Sequence, residues 1–219
     1  MGDWFIATEG VKIVKDSANL APQIITAVAS IGAALGGVGL THRFTRKREQ
    51  AAAEQKLAGE RYFIATELVF KLEDYAAACA SATHDSGCPD EKGFYRASTS
   101  VSSLEFGDVT GDWRALPAPV MYRLREFSVL QAEAHSAIDY THEYDYAPDF
   151  LLYFRERQYQ YARLGLRALL LAKRLRKLTG MPSSRLDKYD WSPQKSLWQR
   201  WRKERKSRHK QRLAERNDT

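Results

Sequence analysis

The sequence has few of the features that identify small secreted proteins and common enzymes. Only two cysteines occur among 219 residues, too few for a disulfide framework. The GxSxG, GxxxxGK[ST] and HExxH patterns of hydrolases, nucleotide-binding proteins and metalloproteases do not occur. We therefore expect a protein that is not an enzyme and that needs no cofactor.

Charge is absent from one long stretch, residues 17–41, which contain no Asp, Glu, Lys, Arg or His. A helix of about 20 uncharged residues crosses the ~30 Å hydrocarbon core of a bilayer. A soluble core helix would seldom be uncharged on every face, and the acidic residues before the run do not fit a signal peptide. The sequence predicts a flank over residues 1–16 and a single transmembrane helix over 17–41.

One face of the predicted span carries small residues. In lipid, small side chains let helix backbones approach and pack, because apolar burial does not drive helices together there. Gly32 and Gly36 form a GxxxG pattern on this face. We expect transmembrane packing, and with it a homodimer, through four residues: Ala29, Gly32, Ala33 and Gly36.

Fixed positive charges follow the span immediately. Cytoplasmic flanks of membrane helices are enriched in Lys and Arg, whereas the flank before this span has two lysines against three acidic residues. The chain is therefore predicted to lie in the cell membrane as a single-pass protein, with its N-terminus outside and its C-terminus in the cytoplasm. The residues that determine this topology are Arg43, Arg46, Lys47 and Arg48.

Proline and glycine are nearly absent from residues 43–82, where Gly59 is the one exception. The absence of both helix breakers predicts a long helix, with a polar stalk over 42–60. Prolines then mark two further helices, 116–144 and 148–179, the second with Asp149 in its first turn and Gly180 just beyond its end, and Pro193 opens a last one. The apolar face of the first is predicted from helical spacing: Val120, Leu124, Phe127, Gln131, Ala134 and Ile138. The expected fold is all-α, with an antiparallel three-helix bundle over 61–180.

The bundle contains an irregular insertion, residues 84–116, rich in turn-forming residues. A surface turn is expected near its start and a short strand or extended chain after residue 97. Its apolar residues are expected to pack across the bundle. Cys79, His84 and Cys88 have a spacing that occurs in zinc sites, but no fourth ligand is evident, so no metal site is expected.

Net charge is confined to the end of the chain, within a predicted linker and basic amphipathic tail over 181–219. Residues 195–219 hold ten Lys or Arg and three acidic residues, which account for the whole formal charge of +7. Apolar residues beside basic ones fit a helix lying on an anionic membrane surface. The predicted membrane-surface residues are Leu197, Trp198, Trp201, Lys203, Arg205 and Lys206.

These observations predict a membrane-anchored helical scaffold that binds membrane lipid and protein partners. Tyrosines near the tip of the second and third helices suit either a core edge or a partner surface. A first alternative is a membrane-tethered nucleic-acid-binding protein, because a basic tail also neutralises phosphates. A second alternative is an enzyme with a site near the 84–116 insertion.

Overall fold

The computed structural model describes residues 20–186, 189 and 192–217, and their side chains from residue 42 to residue 216. Within this part the chain is predominantly helical, so the all-α prediction is confirmed. The helices are α1 (Leu20–Ala82), α2 (Ala118–Glu143), α3 (Leu151–Thr179) and α4 (Pro193–Asn217). The chain divides into two compact units, Met1–Glu54 and Gln55–Thr219.

Among the residues whose side chains are described, no helix is long and apolar enough to cross a bilayer. The predicted span over 17–41, with the small-residue face of Ala29, Gly32, Ala33 and Gly36, lies outside the residues whose side chains are described. The span and its packing face therefore stay predictions. In the first unit, the four residues predicted to set the topology are all exposed: Arg43, Arg46, Lys47 and Arg48.

The core of the second unit forms where the predicted apolar stripes meet. All six residues predicted for the inner face of α2 are buried: Val120, Leu124, Phe127, Gln131, Ala134 and Ile138. The Tyr75 ring of α1 packs edge-on against Phe127, with 5.6 Å between ring centroids. Along α2 and α3, His135 contacts Tyr161 and His142 contacts Tyr153, so these helices run antiparallel as predicted.

The third helix begins later than the sequence predicted. The prediction started it at Pro148 and placed Asp149 in its first turn, but α3 begins at Leu151. Asp145, at the end of the preceding turn, accepts a hydrogen bond from the backbone N–H of Tyr153 at 2.8 Å. This contact satisfies one of the free N–H groups at the start of α3. The predicted end is confirmed, because Gly180 caps the helix with φ of 70°.

The insertion has little regular secondary structure, as predicted, but its two short strands lie before residue 97 and not after it. Two-residue strands β1 (Cys88–Pro89) and β2 (Tyr95–Arg96) pair antiparallel within the predicted surface turn. A single 3-10 turn spans Trp113–Ala115. The expected packing of the insertion across the bundle is confirmed by Leu104 and Val109, which are both buried in the core.

A fourth helix completes the packing. The sequence left the basic tail outside the three-helix bundle, whereas α4 lies along α3. Contacts between Lys173 and Gln194, and between Arg155 and Glu204, show that these two helices run antiparallel. The first half of α4 is therefore an element of the bundle.

Candidate functional site

One buried leucine packs the start of α4 against α3. Leu197 is completely buried, although it was predicted to lie on a membrane-facing surface. It packs against Gly165 of α3, where an added Cβ would lie 2.7 Å from the Leu197 Cδ2 atom and 2.9 Å from the Cβ of Cys79. Leu197 therefore contributes to the core, because the missing side chain of Gly165 lets α4 approach α3.

Charged contacts hold the next two turns of α4. Arg155 donates from Nε to the Glu204 carboxylate at 2.7 Å, and from a terminal nitrogen to the Ser207 hydroxyl at 2.7 Å. Arg208 pairs with Glu156 of α3. Glu204 is 4 % exposed, which makes it a buried charge that is paired and hydrogen-bonded. Burial lowers the pKa of nearby Arg200, and the Glu204 carboxylate opposes that shift.

Because the Glu204 carboxylate is turned away from the surface, the outward side of α4 between Pro193 and Leu213 carries charge of a single sign. Glu204 is the one acidic residue between Pro193 and Leu213, and its carboxylate faces α3. Lys203, Arg205 and Lys206, which were predicted to contact the membrane, are all exposed. We call this outward side the cationic face, and it consists of Arg202, Lys203, Arg205, Lys206, His209, Lys210 and Arg212.

The two predicted tryptophans lie together beside this face. Trp198 is 49 % exposed and Trp201 is half-buried, with 5.0 Å between their ring centroids. The Arg205 guanidinium lies over the Trp201 ring, 5.0 Å from its centroid. The structure thus brings the aromatic and basic members of the predicted surface together, and separates Leu197 from them.

A groove of about 770 Å³ lies between α3 and the first turns of α4. Leucines and tryptophans form its apolar part, and four basic side chains line it among the described residues. Its lining includes Arg163, Leu166, Arg167, Leu170, Lys173 and Trp198. Within the described residues, Arg167 has no hydrogen bond or ion pair.

The α3 side of this groove was missed by sequence reasoning. Arg163 and Arg167 are one helical turn apart, and Leu166 and Leu170 are spaced in the same way. That pattern was available in the sequence, but no role was predicted for these four residues. Leu170 is 67 % exposed, because this side of α3 lies beyond its contacts with the core.

A buried ion pair joins Asp85 of the insertion to Arg157 of α3 at 2.9 Å. Burial alone would raise the pKa of Asp85, but hydrogen bonds from Ser98, Gly87 and Thr99 outweigh it and hold that pKa well below its usual range. Arg157 also donates to the Thr99 carbonyl at 2.6 Å. These contacts fix the insertion to α3, and every oxygen of the Asp85 carboxylate is used in doing so.

The residues considered for zinc do not converge. Cys79 is fully buried and both His84 and Cys88 are exposed. In the described part of the chain, no three His, Cys, Asp or Glu side chains come close enough to hold a metal. Burial raises the pKa of the Cys79 thiol to about 12, so this cysteine is a packed thiol rather than a nucleophile.

The predicted tyrosine cluster divides between core and surface. Tyr140, Tyr144 and Tyr146 are each more than 60 % exposed, and Tyr161 is buried. The exposed tyrosines at the tip of α2 and α3 are of the kind enriched in protein interfaces. They lie on another part of the bundle from the tryptophans of α4.

Comparisons with known proteins leave the geometry as the basis for any functional conclusion. No family model matches the chain, and neither a curated protein nor a solved structure does so.

Proposed function

We propose that this protein is a membrane-anchored helical scaffold whose cationic face binds the anionic surface of the membrane. The observation that carries the proposal is the arrangement of α4. Its one acidic residue before Leu213 is paired inward with Arg155, and its basic residues point outward. A helix held in this way presents a preformed cationic surface, so little ordering is needed on binding.

The charge of this face is sufficient for membrane binding. Each Lys or Arg near an anionic leaflet contributes ~1 kcal/mol, so the exposed basic residues of α4 together supply several. Trp198, at one end of the face, adds an amphipathic ring of the kind that resides in the interface. The predicted anchor over 17–41 would keep the leaflet at high effective concentration.

The proposed orientation depends on the basic residues that follow the predicted span. Arg43, Arg46 and Lys47 are exposed and carry the positive-inside signal together with Arg48. We propose that the second unit lies in the cytoplasm, where anionic lipid is concentrated. A reporter enzyme fused after Thr219 should be active only on the cytoplasmic side, and activity on the outer side would contradict the orientation.

The scaffold part of the proposal concerns protein partners. Tyr140, Tyr144 and Tyr146 form an exposed aromatic surface at the tip of α2 and α3. We propose that this tip contacts a protein partner, and that the Gly32 and Gly36 face of the span contacts a second copy of the chain. Replacing either glycine with leucine should reduce cross-linked dimers in a membrane.

Nucleic acid is the alternative ligand of the cationic face, because phosphates supply the same charge. Binding of single strands usually adds base stacking on free aromatic rings. Here the Trp201 ring already contacts Trp198 and Arg205. This contact pattern favours lipid.

The test compares lipid with nucleic acid directly. The full chain, reconstituted in phosphatidylcholine nanodiscs, is mixed with vesicles of phosphatidylcholine alone or with added phosphatidylglycerol. We expect sedimentation with the anionic vesicles only, decreasing as salt rises. RNA should compete weakly at physiological salt. Tight RNA binding together with equal affinity for both vesicles would replace the proposal with the alternative.

A further inference from the structure

The tip of α2 and α3 is the surface whose partner the proposed function leaves open. It comprises residues 139–149, which form the end of α2 and the connection to α3. We infer that this tip binds the cationic face of α4 in a second copy of the chain. The inference rests on the proposed function, in which the tip contacts a protein partner, and it names that partner.

The tip carries negative charge that no cation of its own copy pairs with. No Lys or Arg occurs from residue 126 to residue 154. Asp139, Glu143 and Asp149 are exposed, and within the described residues none of them forms an ion pair or a hydrogen bond. Arg155, the next cation along the chain, is bonded to Glu204 of α4. The three carboxylates are therefore available to a cationic partner.

Aromatic rings suit the tip to the same partner. Tyr140, Tyr144 and Tyr146 are each more than 60 % exposed, and the first two stack with 4.9 Å between ring centroids. The face of a tyrosine ring attracts the cation of an arginine or lysine. The bundle makes such contacts at Tyr159 and Tyr161, whereas among the described residues no arginine lies over the three rings of the tip.

The complementary charges stand on α4. Lys203, Lys206 and Lys210 recur after three and four residues, so they lie along one side of the helix. All three are exposed, and in the part of the chain that the structure describes none has an ion pair. Lys206 and Lys210 are one helical turn apart, as Asp139 and Glu143 are on α2. Two charge pairs between the helices can therefore form at the same spacing.

Both surfaces lie at the same end of the bundle, which favours a second copy as the partner. Arg155, in the second turn of α3, is bonded to Glu204, so the middle of α4 stands beside the start of α3. The tip precedes that start. In a two-fold symmetric dimer each copy places its α4 on the tip of the other, so every contact forms twice. Such a dimer occupies the cationic face, and anionic lipid competes with it.

The experiment measures association between copies of the full chain. One sample carries a donor fluorophore and another an acceptor, both attached at Cys88, because Cys88 is exposed and Cys79 is buried. Every chain also carries Gly32→Leu, so that packing of the predicted span does not hold copies together. Energy transfer on mixing in nonionic detergent reports association. We expect transfer that saturates with concentration and decreases as salt rises.

Charge reversal on either surface should weaken the dimer. The tip variant combines three substitutions: Asp139→Lys, Glu143→Lys and Asp149→Lys. The α4 variant combines three others: Lys203→Glu, Lys206→Glu and Lys210→Glu. Each variant mixed with itself should associate at least about tenfold more weakly than the wild type, because like charges then face each other across the contact.

Mixing the two variants with each other is the decisive comparison. The reversed α4 of one chain then faces the reversed tip of the other, and the two unchanged surfaces also meet, so association should return to near the wild-type level. The matched control for the tip variant reverses three exposed acidic residues elsewhere in the second unit and should associate like the wild type: Glu67→Lys, Asp74→Lys and Glu105→Lys.

The outcomes separate this inference from lipid binding by the cationic face. The inference is wrong if the wild type shows no transfer, if the tip variant associates like the wild type, or if mixing the two variants restores nothing. Each of these results is compatible with sedimentation on anionic vesicles. If the tip variant loses association and still binds phosphatidylglycerol vesicles, both proposals stand. If the copies associate as expected while the wild type ignores those vesicles, the inference stands and the lipid proposal is wrong.

Discussion

Gly165 is the residue on which the docking of α4 depends. Three helices meet at this position, since its missing side chain leaves room for Leu197 of α4 and lies against Cys79 of α1. Glycine within a helix costs up to ~1 kcal/mol relative to alanine. Its presence in the middle of α3 is explained by the close approach that it permits.

Gly165→Ala should destabilise the protein by about 1–2 kcal/mol, because overpacking of about 1–3 kcal/mol exceeds the gain in helix propensity. Chemical denaturation of the full chain measures the change. The control is Gly59→Ala in α1, where an added Cβ meets no atom within 4 Å. That control should stabilise the protein, and similar stabilisation by both substitutions would contradict the packing described.

Asp85 is the second residue with a large predicted effect. Asp85→Asn leaves the buried Arg157 without its counter-charge, which should cost about 3 kcal/mol at neutral pH. The folded pKa of Asp85 lies below the unfolded value of ~3.9. Its stabilisation is therefore present above that pH and lost as pH falls below it.

Urea denaturation between pH 7 and pH 3 tests this prediction. The difference between wild type and Asp85→Asn should shrink below about pH 4, where the Asp85 carboxylate begins to protonate in the unfolded chain while it stays ionised in the folded one. Asp90→Asn is the control, because Asp90 forms a solvent-screened ion pair with Arg96 and an asparagine oxygen can still accept its two backbone hydrogen bonds. A difference that is independent of pH would contradict the role of Asp85.

At the scale of elements, the helices were predictable and the connections were not. Apolar spacing gave the inner face of α2 residue by residue, and Gly180 gave the end of α3. The insertion is ordered by side chains that bond to a distant backbone. Gln131 accepts from the Leu104 N–H at 2.6 Å and donates to its carbonyl at 3.1 Å. No local pattern in the sequence indicates such a contact.

Gln131→Leu should therefore loosen the insertion. It leaves the buried N–H and carbonyl of Leu104 without partners, at about 1–3 kcal/mol. Hydrogen exchange in the middle of the insertion should quicken by roughly tenfold or more. Ser128→Ala, an exposed position on the same helix, is the control. Unchanged exchange in Gln131→Leu would show that the insertion is held by its apolar residues alone.

The candidate site was predictable only in part: the exposed residues of α4 were identified, but the burial of Leu197 was not. The aromatic and basic residues were identified from composition, but Leu197 was grouped with them because helical spacing cannot distinguish a core face from a surface face on a short apolar patch. The groove needs α3 and α4 together. Its two sides are about 30 residues apart in sequence, so Arg167 and Trp198 could not be associated without the packing.

At the scale of the whole molecule, the charge is distributed unevenly. Residues 1–194 are neutral overall, and the formal charge of +7 resides in residues 195–219. Arg155 of α3 pairs with Glu204 of α4, which adds to the contrast on the outward side. The molecule thus has one surface on which an anionic partner is favoured, and that surface belongs to a helix fixed in the bundle.

Vesicle binding by charge-reversed chains tests most directly whether the cationic face of α4 binds the membrane. Lys203→Glu, Arg205→Glu and Lys206→Glu are combined in the full chain in phosphatidylcholine nanodiscs, and sedimentation with phosphatidylglycerol vesicles is measured. The control, with the same net charge, combines three exposed basic residues elsewhere in the second unit: Lys92→Glu, Arg114→Glu and Lys177→Glu.

We expect charge reversal on α4 to abolish binding at physiological salt, since three favourable contributions of ~1 kcal/mol become unfavourable. The control chain should keep most of its binding. Equal loss in the two chains would show that net charge alone drives association, and undiminished binding after reversal on α4 would show that the cationic face does not contact the membrane.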